Sequence, residues 1–209
     1  MAHRVVVPSG AMKASASRRM PLAAALEVLA QRRADEIVVT TMGSAREWPK
    51  HSQHPLDFQY LPSAMGHAPM LALGLALAQP QREVVCFNGD GCMLMSLGSL
   101  VTIAASGAGN LTLIVLENGI YEVTGGQTTA GAQAGVDFAG FARAAGLATV
   151  LDFDELAPWR QAAAGLLALP GPRFVVLHVE PVGADYQLPT PEPIAARIAR
   201  FRSALKSRV

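Results

Sequence analysis

The stretch CFNGDGCMLMSLGSL, residues 86–100, joins an apolar strand pattern to an apolar helix pattern through Gly89-Asp90-Gly91. Glycine lets a backbone approach a ligand closely, and the first turn of a helix offers free N–H groups that suit a phosphate. The carboxylate of Asp90 would repel a bare phosphate but would bind a divalent cation that also binds phosphate oxygens. An ordinary turn is the alternative, because Asp and Gly are common turn residues. The junction alone leaves both interpretations open.

Strand-like and helix-like patterns alternate on both sides of this junction. Helices are predicted at 20–35, 63–79, 92–107, 136–146, 154–169 and 191–208, strands at 36–42, 83–89, 111–118, 148–153 and 173–181, and a loop at 43–55. Most of the strands are apolar throughout, which is typical of a parallel sheet covered on both faces. The sequence therefore predicts an α/β fold: a single three-layer domain with a parallel sheet and helices on both faces.

Composition excludes several classes of protein. The chain has 209 residues, 51% of them hydrophobic and 16% charged, and a net charge of +1. This charge favours neither nucleic acid nor an anionic membrane as a partner, and no apolar run of about 18 residues predicts a membrane span. Two cysteines, Cys86 and Cys92, suit neither a disulfide framework nor a four-ligand zinc site. We therefore expect a cytoplasmic protein.

The two ends of the chain differ in composition from its middle. Residues 1–19 are basic and lack a long apolar run, so we expect a mobile leader, with a mitochondrial-type leader as the alternative. Residues 20–182 carry the predicted sheet domain. Residues 183–209 are expected to be a C-terminal extension that contains the last helix.

A second strand end strengthens the metal interpretation of the first. The segment LENGIYEVTGGQ, residues 116–127, places Asn118 after the next strand along the chain. Ligands of parallel sheets bind at the carboxyl ends of the strands. We therefore expect three segments, 41–48, 88–92 and 117–127, to share one edge. Asn118 can supply a neutral oxygen ligand there, and the loop after it a backbone carbonyl; a simple Asn-Gly turn is the alternative.

Together, these motifs resemble the cofactor motif of thiamine-diphosphate (ThDP) enzymes, in their diphosphate-binding (PP) domain. Residues 62–129 look like that domain almost without gaps, and the resemblance covers about 20–180. The segments SAREW (44–48), AMGHA (64–68) and YEVTGGQ (121–127) look most similar to phosphonopyruvate and sulfopyruvate decarboxylases.

The resemblance implies a role for individual residues. It implies Mg²⁺ ligation by Asp90, Asn118 and the carbonyl of Ile120, and cofactor binding by Ser44, Ser63, Met65, Gly89, Asp90, Gly91, Cys92, Asn118 and Tyr121. Met65 would wedge the cofactor into its bent shape, and the Ser63 carbonyl would accept a hydrogen bond from the aminopyrimidine. Glu122 and His67 are the catalytic candidates. The chain departs from the common family pattern at Glu117, where Asn or Asp is usual, and at Cys92, where Ser is frequent.

The resemblance also implies that a second domain is needed to complete the active site. ThDP enzymes of this type need a pyrimidine-binding (PYR) domain, whose glutamate activates the cofactor, and residues 1–20 are too few to hold one. We therefore expect a PP (β) subunit of a split 2-oxo acid decarboxylase, which needs ThDP and Mg²⁺ and forms a hetero-oligomer with a PYR-domain subunit. Its expected substrate is sulfopyruvate or phosphonopyruvate, with Arg46 and His67 as candidate contacts for the anion. The alternatives are an acetolactate-synthase-like carboligase subunit and a non-catalytic ThDP-binding regulatory subunit.

Overall fold

A parallel sheet of six strands lies at the centre of the computed structural model, which describes residues 19–182 and 192–207. Its strands are β1 (Ile37–Thr40), β2 (Asp57–Gln59), β3 (Val84–Gly89), β4 (Leu111–Glu117), β7 (Thr149–Phe153) and β8 (Arg173–His178), and two further strands, β5 (Ile120–Tyr121) and β6 (Gln127–Thr128), form a separate antiparallel hairpin. The order across the sheet is β2-β1-β3-β4-β8-β7, with every neighbouring pair parallel.

Helices connect these strands and cover the sheet. They are α1 (Leu22–Ala30), α2 (Met42–Glu47), α3 (Ala68–Ala78), α4 (Asp90–Leu94), α5 (Ser99–Ser106), α6 (Ala130–Ala134), α7 (Phe138–Ala144), α8 (Leu156–Ala163) and α9 (Ile194–Lys206). Within the described ranges, none of these helices is both long enough and apolar enough to span a bilayer.

Successive strand residues point to opposite faces of the sheet. Because apolar residues occupy both sets of positions, both faces of the sheet are apolar. Cys86 and Val115 belong to a core shared with α3, α5, α7 and α9, whereas Phe87 and Ile114 belong to a core shared with α1 and α8. Both cores are built from buried aliphatic and aromatic side chains. The prediction of a three-layer α/β domain is confirmed.

The loop predicted for residues 43–55 is wrong in its first half, which forms α2 and a short 3-10 helix at Trp48–Lys50. A local cap starts α2: Thr41 N–H donates to Ser44 Oγ (3.1 Å), and that hydroxyl donates to the Thr41 carbonyl (2.7 Å). Trp48 is buried and packs against Phe87, with ring centroids 5.2 Å apart. Glycine and proline marked this segment as a loop, but the cap and the buried tryptophan make it helical. Strand β2 was likewise not predicted.

The single helix predicted for 92–107 is two helices, α4 and α5, separated by a turn at 95–98. Ser96 in that turn donates a hydrogen bond from its hydroxyl to the carbonyl of Gly66, at 2.5 Å. This bond fastens the turn to the segment that precedes α3. The apolar sequence pattern continues from α4 into α5 without a visible interruption, because both helices pack against the same core.

The last helix is part of the main core. Phe201 of α9 packs against Phe58 of β2, with ring centroids 4.9 Å apart. Arg197 is buried and donates to the carbonyls of Gln59 and Leu61. The predicted helix in the C-terminal extension is thus present and docked on the sheet. The leader predicted for 1–19, except Arg19, and the first part of the extension, 183–191, lie outside the described residues.

Candidate active site

Three segments meet at the carboxyl edge of the sheet, around an open cleft. Helix α2 follows β1 and helix α4 follows β3, while the loop after β4 leads into the β5–β6 hairpin. Gly89 and Leu116 are register partners, so the residues after β3 and β4 emerge side by side. These are the three segments that the sequence predicted to share an edge.

The structure brings most of the predicted site residues together. Those that line the cleft are Ser44, Met65, Gly89, Asp90, Gly91, Cys92, Asn118, Ile120, Tyr121 and Glu122. Ser63 and His67 are not among the lining residues: Ser63 is half-buried, and His67 is exposed with its Nδ1 atom 3.2 Å from the Met65 carbonyl oxygen. The roles predicted for Ser63 and His67 stay predictions.

Asp90 is the first residue of α4 and is only 2% exposed. Its Oδ2 atom accepts hydrogen bonds from the backbone N–H of Gly119 (3.1 Å) and from the hydroxyl of Thr129 (3.2 Å). Burial raises the pKa of the Asp90 carboxyl, whereas the hydrogen bonds from Gly91, Thr129 and Gly119 oppose that rise. These partners are neutral and leave the carboxylate charge for a cation to balance.

Asn118 and Ile120, which also line the cleft, could supply further oxygen ligands beside Asp90. Gly119 between them has φ +79°, a left-handed conformation that glycine adopts without strain, and this turns the chain sharply after β4. The side-chain oxygen of Asn118 accepts from the Ile120 N–H (3.0 Å), which leaves a lone pair of that oxygen available. A carboxylate, an amide oxygen and a backbone carbonyl are the ligand types that Mg²⁺ prefers, so the residues present fit this ion.

The two glycines of Gly-Asp-Gly have different surroundings. A Cβ atom added to Gly91 would lie 2.3 Å from Cε1 of Tyr121, because the tyrosine ring packs directly on that glycine. A Cβ atom added to Gly89 would have no neighbour within 4 Å. Gly89 therefore leaves open space beside the backbone where a phosphate could approach, whereas Gly91 makes room for Tyr121.

Two further predicted residues line the same space with constrained side chains. The hydroxyl of Ser44 is committed to Thr41, so a contact between Ser44 and a phosphate would have to use its backbone. Burial raises the pKa of the Cys92 thiol, which keeps it neutral beside Asp90. Neither side chain adds a negative charge that would repel a diphosphate.

Glu122 lies beside α2 at the cleft. Its Oε1 atom accepts a hydrogen bond from the Val182 N–H (2.6 Å), and Oε2 would lie 3.0 Å from a Cβ atom placed on Gly43. Burial raises the pKa of the Glu122 carboxyl, and hydrogen bonds from Val182 and Asn118 and the charge of Arg46 oppose this. Glu122 can therefore hold a proton at the cleft more readily than an exposed glutamate can.

Thr129 and Met42 are among the residues of this edge that sequence reasoning missed. Thr129 is fully buried and bonded to Asp90; its only local signal is that Thr is a common N-cap, here before α6. Met42 lines the cleft with φ +48°, a conformation that a non-glycine residue rarely adopts. No sequence pattern marks Met42 as strained.

A second group of ionisable side chains lies at the ends of β4, β7 and β8. His178 is bonded through Nε2 to Asp152 (2.8 Å), and its Nδ1 atom lies 3.6 Å from Glu117. The hydrogen bond to Asp152 raises the pKa of His178, while burial raises the pKa of Glu117. This group neighbours the cleft but does not line it.

Comparisons with known sequences agree with this geometry. A phosphonopyruvate decarboxylase of Streptomyces viridochromogenes is 40% identical over 191 residues, which are 90% of this chain and 47% of that protein. The beta subunit of a sulfopyruvate decarboxylase of Methanothermobacter thermautotrophicus is 39% identical over 152 residues, which are 72% of this chain and 77% of that protein. The chain thus spans about half the length of the first relative and most of the second.

The fold and the family agree as well. The crystal structure of benzoylformate decarboxylase from Polynucleobacter necessarius superimposes with a TM-score of 0.61 at 22% identity, over 76% of this chain and 33% of that chain, which supports the fold alone. The sequence profile described as thiamine pyrophosphate enzyme, C-terminal TPP binding domain, matches residues 36–179, a segment that carries β1, Asp90, Asn118 and β8. The chain therefore belongs to the family of C-terminal thiamine pyrophosphate binding domains of thiamine pyrophosphate enzymes.

Proposed function

We propose that this chain is the PP subunit of a split 2-oxo acid decarboxylase that uses ThDP and Mg²⁺. Its substrate would be sulfopyruvate or phosphonopyruvate, converted to an aldehyde and carbon dioxide. The observation that carries the proposal is the meeting of Asp90, Asn118 and the Gly89 backbone in one cleft at the carboxyl edge. Two relatives carry the names of these two decarboxylases, which supports the substrate class.

The metal and the diphosphate would be held by separate parts of the cleft. Asp90, Asn118 and the Ile120 carbonyl would hold Mg²⁺, and the backbone from Gly89 to Cys92 would hold the diphosphate. The backbone N–H groups in the first turn of α4 have no backbone partner within the helix, and such groups suit a bound anion. Met65 supplies an apolar wall to the same cleft, against which a bent cofactor would rest.

When bound, ThDP would supply the electron sink for the loss of carbon dioxide. The side chains of this subunit would then manage the charge and the proton. Glu122 faces the cleft with a raised pKa, so we assign it the proton that the aldehyde product needs. Arg46 lies close enough for its charge to act on Glu122, and we propose that it attracts the sulfonate or phosphonate.

A partner chain would complete the site. A relative of similar length is named as a beta subunit, which supports a multi-subunit enzyme. Helix α3 has no charged residue, and Met70 and Leu77 on it are 38% and 58% exposed. Val101 of the adjacent helix α5 is 59% exposed. We propose that these exposed apolar side chains contribute to a surface for a PYR-domain subunit in the cytoplasm.

The test is to purify the chain from its own source under mild conditions and to measure the native mass and bound cofactor of what elutes with it. We expect a second chain with a PYR domain, together with ThDP and Mg²⁺, and aldehyde formation from sulfopyruvate or phosphonopyruvate. A homo-oligomer without a second chain would contradict the split-enzyme proposal. A condensation product that forms only after an acceptor aldehyde is added would favour the carboligase alternative. Bound ThDP with neither product would favour a regulatory subunit.

A further inference from the structure

Thr129 is a fully buried polar residue at the end of the β5–β6 hairpin, outside the segments in which the sequence predicted the site. It caps α6: its hydroxyl oxygen accepts a hydrogen bond from the N–H of Ala132, at 3.2 Å. A hydroxyl also has one proton to donate. In a buried position that proton must find an acceptor, or the group is costly to fold.

The acceptor is the carboxylate of Asp90. The Thr129 hydroxyl donates to Asp90 Oδ2 at 3.2 Å, while the Thr129 N–H donates to the Gly119 carbonyl at 2.9 Å. The Gly119 N–H in turn donates to the same Oδ2 atom, at 3.1 Å. The three residues form a closed ring of hydrogen bonds that ties α4, the loop after β4 and the hairpin together.

The ring treats the two carboxylate oxygens of Asp90 differently. Two donors fixed in separate elements meet Oδ2, so the carboxylate cannot rotate without breaking a buried hydrogen bond. Oδ1 then takes the position that the ring does not use. Because both donors are neutral, the ring fixes the direction of the carboxylate and leaves its negative charge intact.

We propose that Thr129 is a positioning residue that fixes Asp90 so that Oδ1 faces the Mg²⁺ ion. The inference rests on the proposed function, in which Asp90 is a metal ligand, and adds a residue that does not itself bind the metal. A hydrogen-bond partner behind a metal ligand usually contributes ten- to a hundred-fold to metal affinity. Thr129 meets that description by contact, burial and chemistry.

The test compares Thr129→Val, which keeps the shape and removes the hydroxyl, with Thr129→Ser, which keeps the hydroxyl. The control is Asp137→Ala: Asp137 caps α7 by accepting from the Gly140 N–H at 2.7 Å, and it is exposed. The control therefore removes a helix cap next to α6 without touching Asp90. Mn²⁺ replaces Mg²⁺ as the probe, and electron paramagnetic resonance measures its binding, in the presence of ThDP, to the enzyme purified together with any partner chain.

We expect Thr129→Val to bind Mn²⁺ about ten- to a hundred-fold more weakly than the wild type. Thr129→Ser should restore most of the affinity, and Asp137→Ala should stay close to the wild type. The temperature of thermal unfolding without metal should fall for both Thr129→Val and Asp137→Ala, since each loses a cap, and it should fall further for Thr129→Val, which also loses its buried bond to Asp90. A merely structural role for Thr129 would change the unfolding temperature and leave Mn²⁺ affinity alone.

Two outcomes would overturn the inference, and they differ from each other. If Thr129→Val binds Mn²⁺ within twofold of the wild type, Thr129 does not position Asp90, while the metal site itself stands. If the wild type binds no Mn²⁺ with ThDP present, the metal assignment in the proposed function fails, and the role of Thr129 fails with it.

Discussion

Asp90 and Arg173 are buried charges at opposite edges of the same sheet, at 2% and 3% exposed. Arg173, the first residue of β8, pairs with Glu83 at 2.6 Å and also donates to the carbonyls of Leu167 and Leu169. Asp90, after the end of β3, is held by neutral donors instead. The amino edge thus balances its charge within the chain, whereas the carboxyl edge keeps a charge for a ligand. The difference separates a structural ion pair from the proposed metal site.

The strongest test of this comparison is Asp90→Ala. We expect it to abolish Mg²⁺-dependent binding of ThDP, because it removes the only charged ligand proposed for the ion. Isothermal calorimetry with ThDP, with and without Mg²⁺, measures the loss. Glu83→Ala is the matched control, since it removes a carboxylate from the other edge and should bind ThDP normally when folded. Retained ThDP affinity in Asp90→Ala would contradict the metal assignment.

The second prediction concerns the effect of Glu83→Ala on the stability of the fold. Glu83→Ala leaves Arg173 buried without its counter-ion, and breaking such a pair should lower the free energy of unfolding by about 3 kcal/mol. Urea denaturation monitored by circular dichroism measures the change. A loss well under 1 kcal/mol would mean that the carbonyls around Arg173 are sufficient to hold its charge.

Gly91→Ala and Gly89→Ala should separate packing from binding within the site. The Cβ atom of Gly91→Ala would displace the ring of Tyr121, and overpacking of this kind should cost about 1–3 kcal/mol of unfolding free energy. Gly89→Ala adds its methyl group to open space, so we expect a smaller loss of stability but weaker ThDP binding. Urea denaturation and calorimetry report the two effects. Equal stability losses would show that Tyr121 does not confine Gly91.

The smallest expected effect is a pH dependence at His178. Its pKa is raised in the folded chain by Asp152, so the protonated form stabilises the fold at pH values below the ordinary histidine pKa. That contribution should be lost as the pH rises through the raised pKa. Urea denaturation of the wild type and of His178→Gln between pH 5.5 and 8.5, a range set around about 6.5, should show a shallower slope in the variant. Parallel curves would exclude His178 as the source.

Much of the fold was predictable because the strands are long, apolar and separated by clear helix patterns. Parallel sheets bind ligands at the carboxyl ends of their strands, and this rule predicted from the sequence that Asp90 and Asn118 lie at the same edge. The helix at α2 was not predictable from its glycine and prolines. It depends on Trp48, whose burial against Phe87 is a contact between residues far apart in sequence.

The parts of the site that escaped prediction share that physical cause. Thr129 forms a hydrogen bond with Asp90, and no spacing rule connects the two residues, because the hairpin between them has its own geometry. The strained backbone of Met42 is likewise set by the junction of β1 and α2 and leaves no trace in composition. Local patterns predict elements and strand ends, whereas contacts between distant segments decide which side chains hold the ligands.

The hydrogen bonds of Arg197 show that the segment matched by the family profile differs from the segment that folds as one unit. The family profile covers residues 36–179 and includes the proposed metal ligands. Yet Arg197, outside that range, donates hydrogen bonds to the carbonyls of Gln59 and Leu61, which lie on the segment that leads to Met65. Helix α1, also outside the range, completes the core on the other face of the sheet. The unit of homology is therefore shorter than the unit of folding. A fragment that comprises only residues 36–179 would keep the proposed metal ligands but would lack α1 and Arg197, which hold the surrounding backbone in place.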